Sequence, residues 1–151
     1  MLLHDAAFSY LHFVFALILA GALAAEVFVL RLPVDNRVAR LLLRIDLFYG
    51  ISAVGVILAG VARVIWGVRG AEFYMAQPFF WAKMTVFLVI GVISAIPTRR
   101  FMRWVREANA TPAFMAVEAD VARMRRLVMI ELHLLALVPL FAALMARGIG
   151  S

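Results

Sequence analysis

Residues 51–60 read ISAVGVILAG, ten residues with no charge and with apolar side chains on every face. A membrane-barrel strand would alternate polar and apolar residues with a period of two, so this run excludes a barrel and reads as the middle of a helix. Followed outward, the apolar stretch covers 45–66, and three more of similar length occupy 6–30, 78–97 and 127–146. Each approaches the ~20 residues that a helix needs to cross ~30 Å of hydrocarbon. Hydrophobic residues make up 66% of the chain and its mean hydropathy is +1.01, well above the roughly 45–50% apolar content of soluble domains. The expectation is a single domain over 1–151: an all-α integral membrane protein built as a four-transmembrane-helix bundle.

The net charge of +6 does not point to nucleic acid, because the arginines sit in short loops between apolar runs rather than on a soluble basic face. Arg31, Arg37, Arg40 and Arg44 follow the first span, and seven arginines between Arg99 and Arg126 follow the third. The other side has Arg69, Arg147 and Arg63. The positive-inside rule then places both basic loops in the cytoplasm and both termini outside. A multi-pass protein of the bacterial inner membrane is expected, with the lipid bilayer and its anionic headgroups as partners of the arginines. The chain has no cysteine, which excludes disulfides and thiolate sites. The stretch AGALAAE, residues 20–26, resembles a signal-cleavage site. It lacks a basic segment in front and the apolar run continues past it, so it reads as part of the first helix.

Turn signals divide the chain further. Helix 1 is expected from near Asp5 to Leu30, broken by RLPVDN, and helix 2 begins ahead of its span and stops near WGVRG. The connection AEFYMAQPFFW offers Phe73, Tyr74, Phe79, Phe80 and Trp81 as an interfacial aromatic belt, with Pro78 in the first turn of helix 3. Helix 3 is expected to reach Pro97, and TRRFMRWVRE to follow as a basic amphipathic helix with Phe101 and Trp104 dipping into the inner leaflet. Thr111 and Pro112 read as the start of a helix running unbroken into the fourth span, which carries Pro139. Gly21 and Ala25, and Gly55 and Ala59, have the spacing of close helix contacts.

Six ionisable residues fall at membrane depth: His12, Glu26, Asp46, Lys83, Glu131 and His133. A charge at mid-helix costs roughly 2.5–3.5 kcal/mol, so these groups should face inward or reach the headgroups. Counting residues at 1.5 Å each puts His12 and Lys83, the only lysine, in one layer about 8–9 Å from the outer face. Glu26, Asp46, Glu131 and His133 fall in an inner layer. His12, Phe15, Leu19, Ala22 and Glu26 share one helical stripe, whereas Glu131 and His133 point about 200° apart. His12 is either an iron ligand or a donor to a backbone carbonyl; Lys83 is either an inward base or a snorkelling cation. Glu26 and Asp46 are either a proton path or anchors for loop arginines. A haem held by both His12 and His133 is awkward, because the two differ in depth by roughly 12 Å.

The segments YLHFVFALILAG and PFFWAKMTVFLVIGVIS resemble, over nearly the whole chain, a bacterial inner-membrane family of unknown function. That family in turn looks like a distant relative of the HemJ-type protoporphyrinogen oxidases and the CopD-like membrane proteins. The Leu11-His12 pair and Lys83 match motifs of the HemJ type, a small helical bundle that binds haem b and oxidises protoporphyrinogen. The asparagine that type carries before Glu131 is here Ile130, and its first-helix tryptophan and following Pro-Arg are missing. The resemblance implies a haem b or tetrapyrrole-binding redox protein with His12 as the metal ligand and cofactor contact. Lys83, and less readily His133, would be further cofactor contacts, and Lys83, Glu26 and Asp46 would be groups of the chemistry, with a quinone or another carrier taking the electrons. A proton-coupled transporter, working as a homodimer, and a noncatalytic subunit of a larger membrane complex are the other readings.

Overall fold

The computed structural model describes residues 2–68 and 70–148, all of them helical or in short connections. The helices are α1 (Leu2–Val29), α2 (Asn36–Trp66), a six-residue α3 (Gly70–Met75), α4 (Pro78–Ala110) and α5 (Glu118–Ala146). The four long ones are each long and apolar enough to cross a membrane. They form a closed ring in which α1 packs on α2, α2 on α4, α4 on α5 and α5 back on α1. Successive helices run antiparallel because the short connections permit nothing else. One end of the bundle collects the arginine-rich connections and is called here the Arg-rich end. The Arg69 counted in the charge balance lies outside the described residues.

The helix starts are set by local chemistry. The Asp35 carboxylate accepts from the backbone N–H groups of Arg37 and Val38 at 2.9 and 2.8 Å, capping α2 ahead of its span as expected. Pro78 occupies the first turn of α4, where no N–H is needed. At φ 71, Gly70 takes a left-handed turn into α3 that a side chain would strain.

Four expectations are corrected. Helix α4 does not stop at Pro97 but runs through it to Ala110. Its 33 residues reach about 50 Å, well beyond the hydrocarbon, so the TRRFMRWVRE segment projects past the Arg-rich face of the bilayer. Phe101 and Trp104 are fully buried in the main core with Leu30, Leu42 and Val121 rather than lying in lipid, since α1, α2 and α5 extend alongside and offer more apolar contact. Thr111 closes α4 instead of opening the next helix, and α5 begins only at Glu118. The intervening segment pairs with the α1–α2 connection: the N–H of Ala116 donates to the Val34 carbonyl at 2.9 Å, and Asn36 Nδ2 to that of Pro112 at 2.9 Å. Finally, the aromatic connection is only partly a belt. Trp81 is exposed, but Tyr74 and Phe80 turn inward with Met145 to make a small second core at the end opposite the arginines.

The small-residue pairs behave unequally. Gly55 lies directly under the Phe15 ring, so α1 and α2 approach closely there. Gly21 is exposed, and a side chain added there would meet nothing within 4 Å.

Candidate functional site

The expected stripe on α1 is present, buried at Leu19, Ala22 and Glu26 and half-buried at His12 and Phe15. It connects two polar layers of opposite character.

The layer toward the Arg-rich end is acidic. Glu26, Asp46 and Glu131 come from α1, α2 and α5, are 2%, 7% and 1% exposed, and lie within electrostatic reach of one another. Helix α4 contributes Thr98, whose hydroxyl donates to Asp46 Oδ1 at 2.8 Å. Tyr49 reaches across the bundle axis and donates to Glu131 Oε2 at 3.4 Å. Glu26 Oε1 and Glu131 Oε1 are buried with no hydrogen-bond partner among the described residues. The expectation that loop arginines anchor Glu26 and Asp46 is not met: the ion pair found among the described residues is Arg100 with Asp120, joining α4 to α5 beyond this layer. Three carboxyl groups so placed, with no cation paired to them among the described residues, repel one another when charged, so a proton gained by one changes the others. A carboxyl group in such a cluster can hold a proton.

The opposite layer is basic. Nδ1 of His12 lies 3.1 Å from the Val56 carbonyl oxygen, which can only accept, so the proton sits on Nδ1 and the Nε2 lone pair is left available. The imidazole packs on Gly60, from whose position a Cβ would be 3.4 Å from the ring. Lys83, half-buried, has its ammonium 5.2 Å from the centre of the Phe80 ring. Arg63 and Lys83 are both within electrostatic reach of His12, so the structure brings His12 and Lys83 into one layer. The Arg63 Nε is buried and unpartnered among the described residues. Arg63 therefore belongs to this layer.

His133 does not join His12. It is exposed, with Nδ1 folded back to the Met129 carbonyl of its own helix at 2.6 Å, while Glu131 points to the interior. On α2, the partners of His12 and Glu131 are Val56 and Tyr49, about 10 Å apart along the axis. No group of three or more metal-ligating side chains occurs among the described residues.

Sequence reasoning passed over Tyr49 and Thr98, and counted Arg63 only in the charge balance of the outer side. The signal was present: Asp46, Tyr49 and Ser52 recur at three-residue steps on α2, and Ser94 and Thr98 are four apart on α4, a polar stripe inside apolar spans.

The fold and its two layers define a small polytopic membrane protein with ionisable groups held inside the bundle, in contact with the bilayer along its outer surface. The chain belongs to the family described as "Predicted membrane protein (DUF2214)", which matches residues 4–150. No curated protein and no solved structure matches it.

Proposed function

We propose that this chain is a redox protein of the bacterial inner membrane that holds a b-type haem or a related tetrapyrrole at the His12 layer and exchanges protons through the Glu26, Asp46 and Glu131 cluster. The supporting observation is the sorting of interior charge. Acids alone occupy one layer and bases alone the other, with no ion pair to either among the described residues. A bundle that only needed to pack would pair its charges or omit them.

The residues present fit such a cofactor in part. The Nε2 of His12 suits an iron ion, and its backbone-tied Nδ1 is the usual means of orienting a ligand imidazole. Arg63 and Lys83 suit the propionates of a tetrapyrrole. When bound, the group supplies one-electron chemistry. The chain's own residues fix the imidazole through Val56 and hold protons on Glu26, Asp46 and Glu131 with Tyr49 alongside, and Arg63 and Lys83 would neutralise the propionates of a bound group. With the arginine-rich loops in the cytoplasm, those protons exchange on the cytoplasmic side.

Absorption spectroscopy of the protein purified from haem-replete cells tests this reading. A Soret band is expected, lost in His12→Ala and kept in His133→Ala. A colourless protein overturns the cofactor assignment and leaves the acid cluster to a proton-coupled transporter or to an assembly subunit, the two readings that need no pigment.

A further inference from the structure

A cleft of about 530 Å³ opens between α2 and α4, lined at one end by Asp46, Tyr49, Ser94 and Thr98 and otherwise by apolar residues such as Phe87 and Ile90. It faces outward from the ring of helices, where exposed neighbours such as Leu47 and Ile51 mark the lipid-facing surface. Its volume falls in the range of small-molecule sites, roughly 300–1,000 Å³.

Two glycines on its walls are the telling feature. Gly50 of α2 and Gly91 of α4 both line the cleft, and a Cβ at either would meet nothing within 4 Å. Glycine weakens a helix relative to alanine, so it needs a reason. Gly55 and Gly60 have one in the rings of Phe15 and His12. Gly50 and Gly91, like the exposed Gly21, have no such neighbour; on the walls of the cleft the missing side chains leave its space open.

We propose that this cleft is a binding site for the ring of a membrane-dissolved quinone or quinol, entered sideways from the lipid. A ring can enter where Gly50 and Gly91 leave the walls bare, and an isoprenoid tail can run out along the apolar surface. An acyl chain alone would have no use for the Asp46 carboxyl at membrane depth, which is costly to hold there. A carboxyl can donate to a quinone carbonyl when protonated and accept from a quinol hydroxyl when not. Asp46 offers such a group, with only its Oδ1 engaged by Thr98, and it is in electrostatic contact with Glu26 of the proton-exchanging cluster. The inference concerns binding alone and does not depend on a cofactor at His12.

The test uses the full chain in nanodiscs of synthetic phosphatidylcholine and a photoreactive azido-benzoquinone with a decyl tail, mapped by peptide mass spectrometry. Label is expected on 46–54 and 87–98, displaced by unlabelled decyl-benzoquinone. Gly91→Leu and Gly50→Leu fill the cleft from opposite walls without a clash, and each should lower labelling about tenfold or more. Val92→Leu, on the exposed face, should not. Thermal unfolding of each variant, with Gly91→Ala as a milder substitution, confirms that the fold persists. Label that is undisplaced, lies elsewhere, or is unchanged in both leucine variants overturns the proposal. So does a dimer in the nanodisc that Gly91→Leu separates while no quinone is captured, since the cleft would then seat a second copy of the chain.

Discussion

The contact between Gly55 and Phe15 ties bundle packing to the His12 layer, and one methyl group tests the connection. A Cβ at position 55 would lie 2.5, 2.6 and 2.7 Å from three Phe15 ring atoms, while ordinary contact begins near 3.4 Å. Gly55→Ala therefore requires α1 and α2 to separate locally by 0.9 Å (3.4 minus 2.5) or the ring to leave its rotamer. The atoms met are at the base and flanks of the ring, so rotation about its own axis does not relieve all three. Overpacking of this kind costs about 1–3 kcal/mol. Three residues away on α1, His12 is bonded to Val56 at 3.1 Å. The same separation applied there gives 4.0 Å (3.1 plus 0.9), beyond hydrogen-bond range. Reversible unfolding in mixed micelles, followed by far-UV circular dichroism, should show the loss of stability, and ¹⁵N NMR of the imidazole should show loss of its single tautomer. Phe15→Leu in the alanine background should restore most of both. Gly21→Ala is the control, neutral or stabilising by up to about 1 kcal/mol, because nothing lies near that position and alanine favours helix. If Gly55→Ala unfolds like Gly21→Ala and leaves the imidazole unchanged, the close approach of α1 and α2 is refuted.

Other substitutions read other parts of the structure. Trp104→Ala should destabilise the fold by about 3–5 kcal/mol, and Trp81→Ala much less, since the first is fully buried and the second exposed; equal effects would return Trp104 to the bilayer surface. Asp35→Ala should cost about 1 kcal/mol through the lost α2 cap, with Asp35→Asn largely preserving it, again by micelle unfolding. Tyr49→Phe removes the hydroxyl bonded to Glu131, and a loss of about 0.5–1.5 kcal/mol is expected. Infrared difference spectra should show the Glu131 carboxyl band move in that variant and stay fixed in Tyr74→Phe, whose ring belongs to the second core.

Much of the architecture is legible in the order of residues because membrane insertion is a local problem. Twenty apolar residues satisfy their own backbone hydrogen bonds as a helix wherever their neighbours stand, so the four spans follow from runs such as ISAVGVILAG alone. The inward stripe from His12 to Glu26 and the divergence of Glu131 from His133 follow from helical geometry in the same way. The rest depends on which helix lies beside which. Phe101 and Trp104 look like surface anchors until residues of α1, α2 and α5 are seen to pack against this part of α4 and cover them. Thr111 and Pro112 look like a helix start until the connection between α1 and α2 takes up the backbone of the following segment as a partner. Neither Arg63 beside His12 nor Tyr49 reaching Glu131 across the axis has a spacing in the chain that announces it, because each joins different helices. Helix formation is decided within a turn or two of backbone; the gathering of three acids in one layer and three bases in another is decided only when the ring of helices closes and fixes the rotation of each.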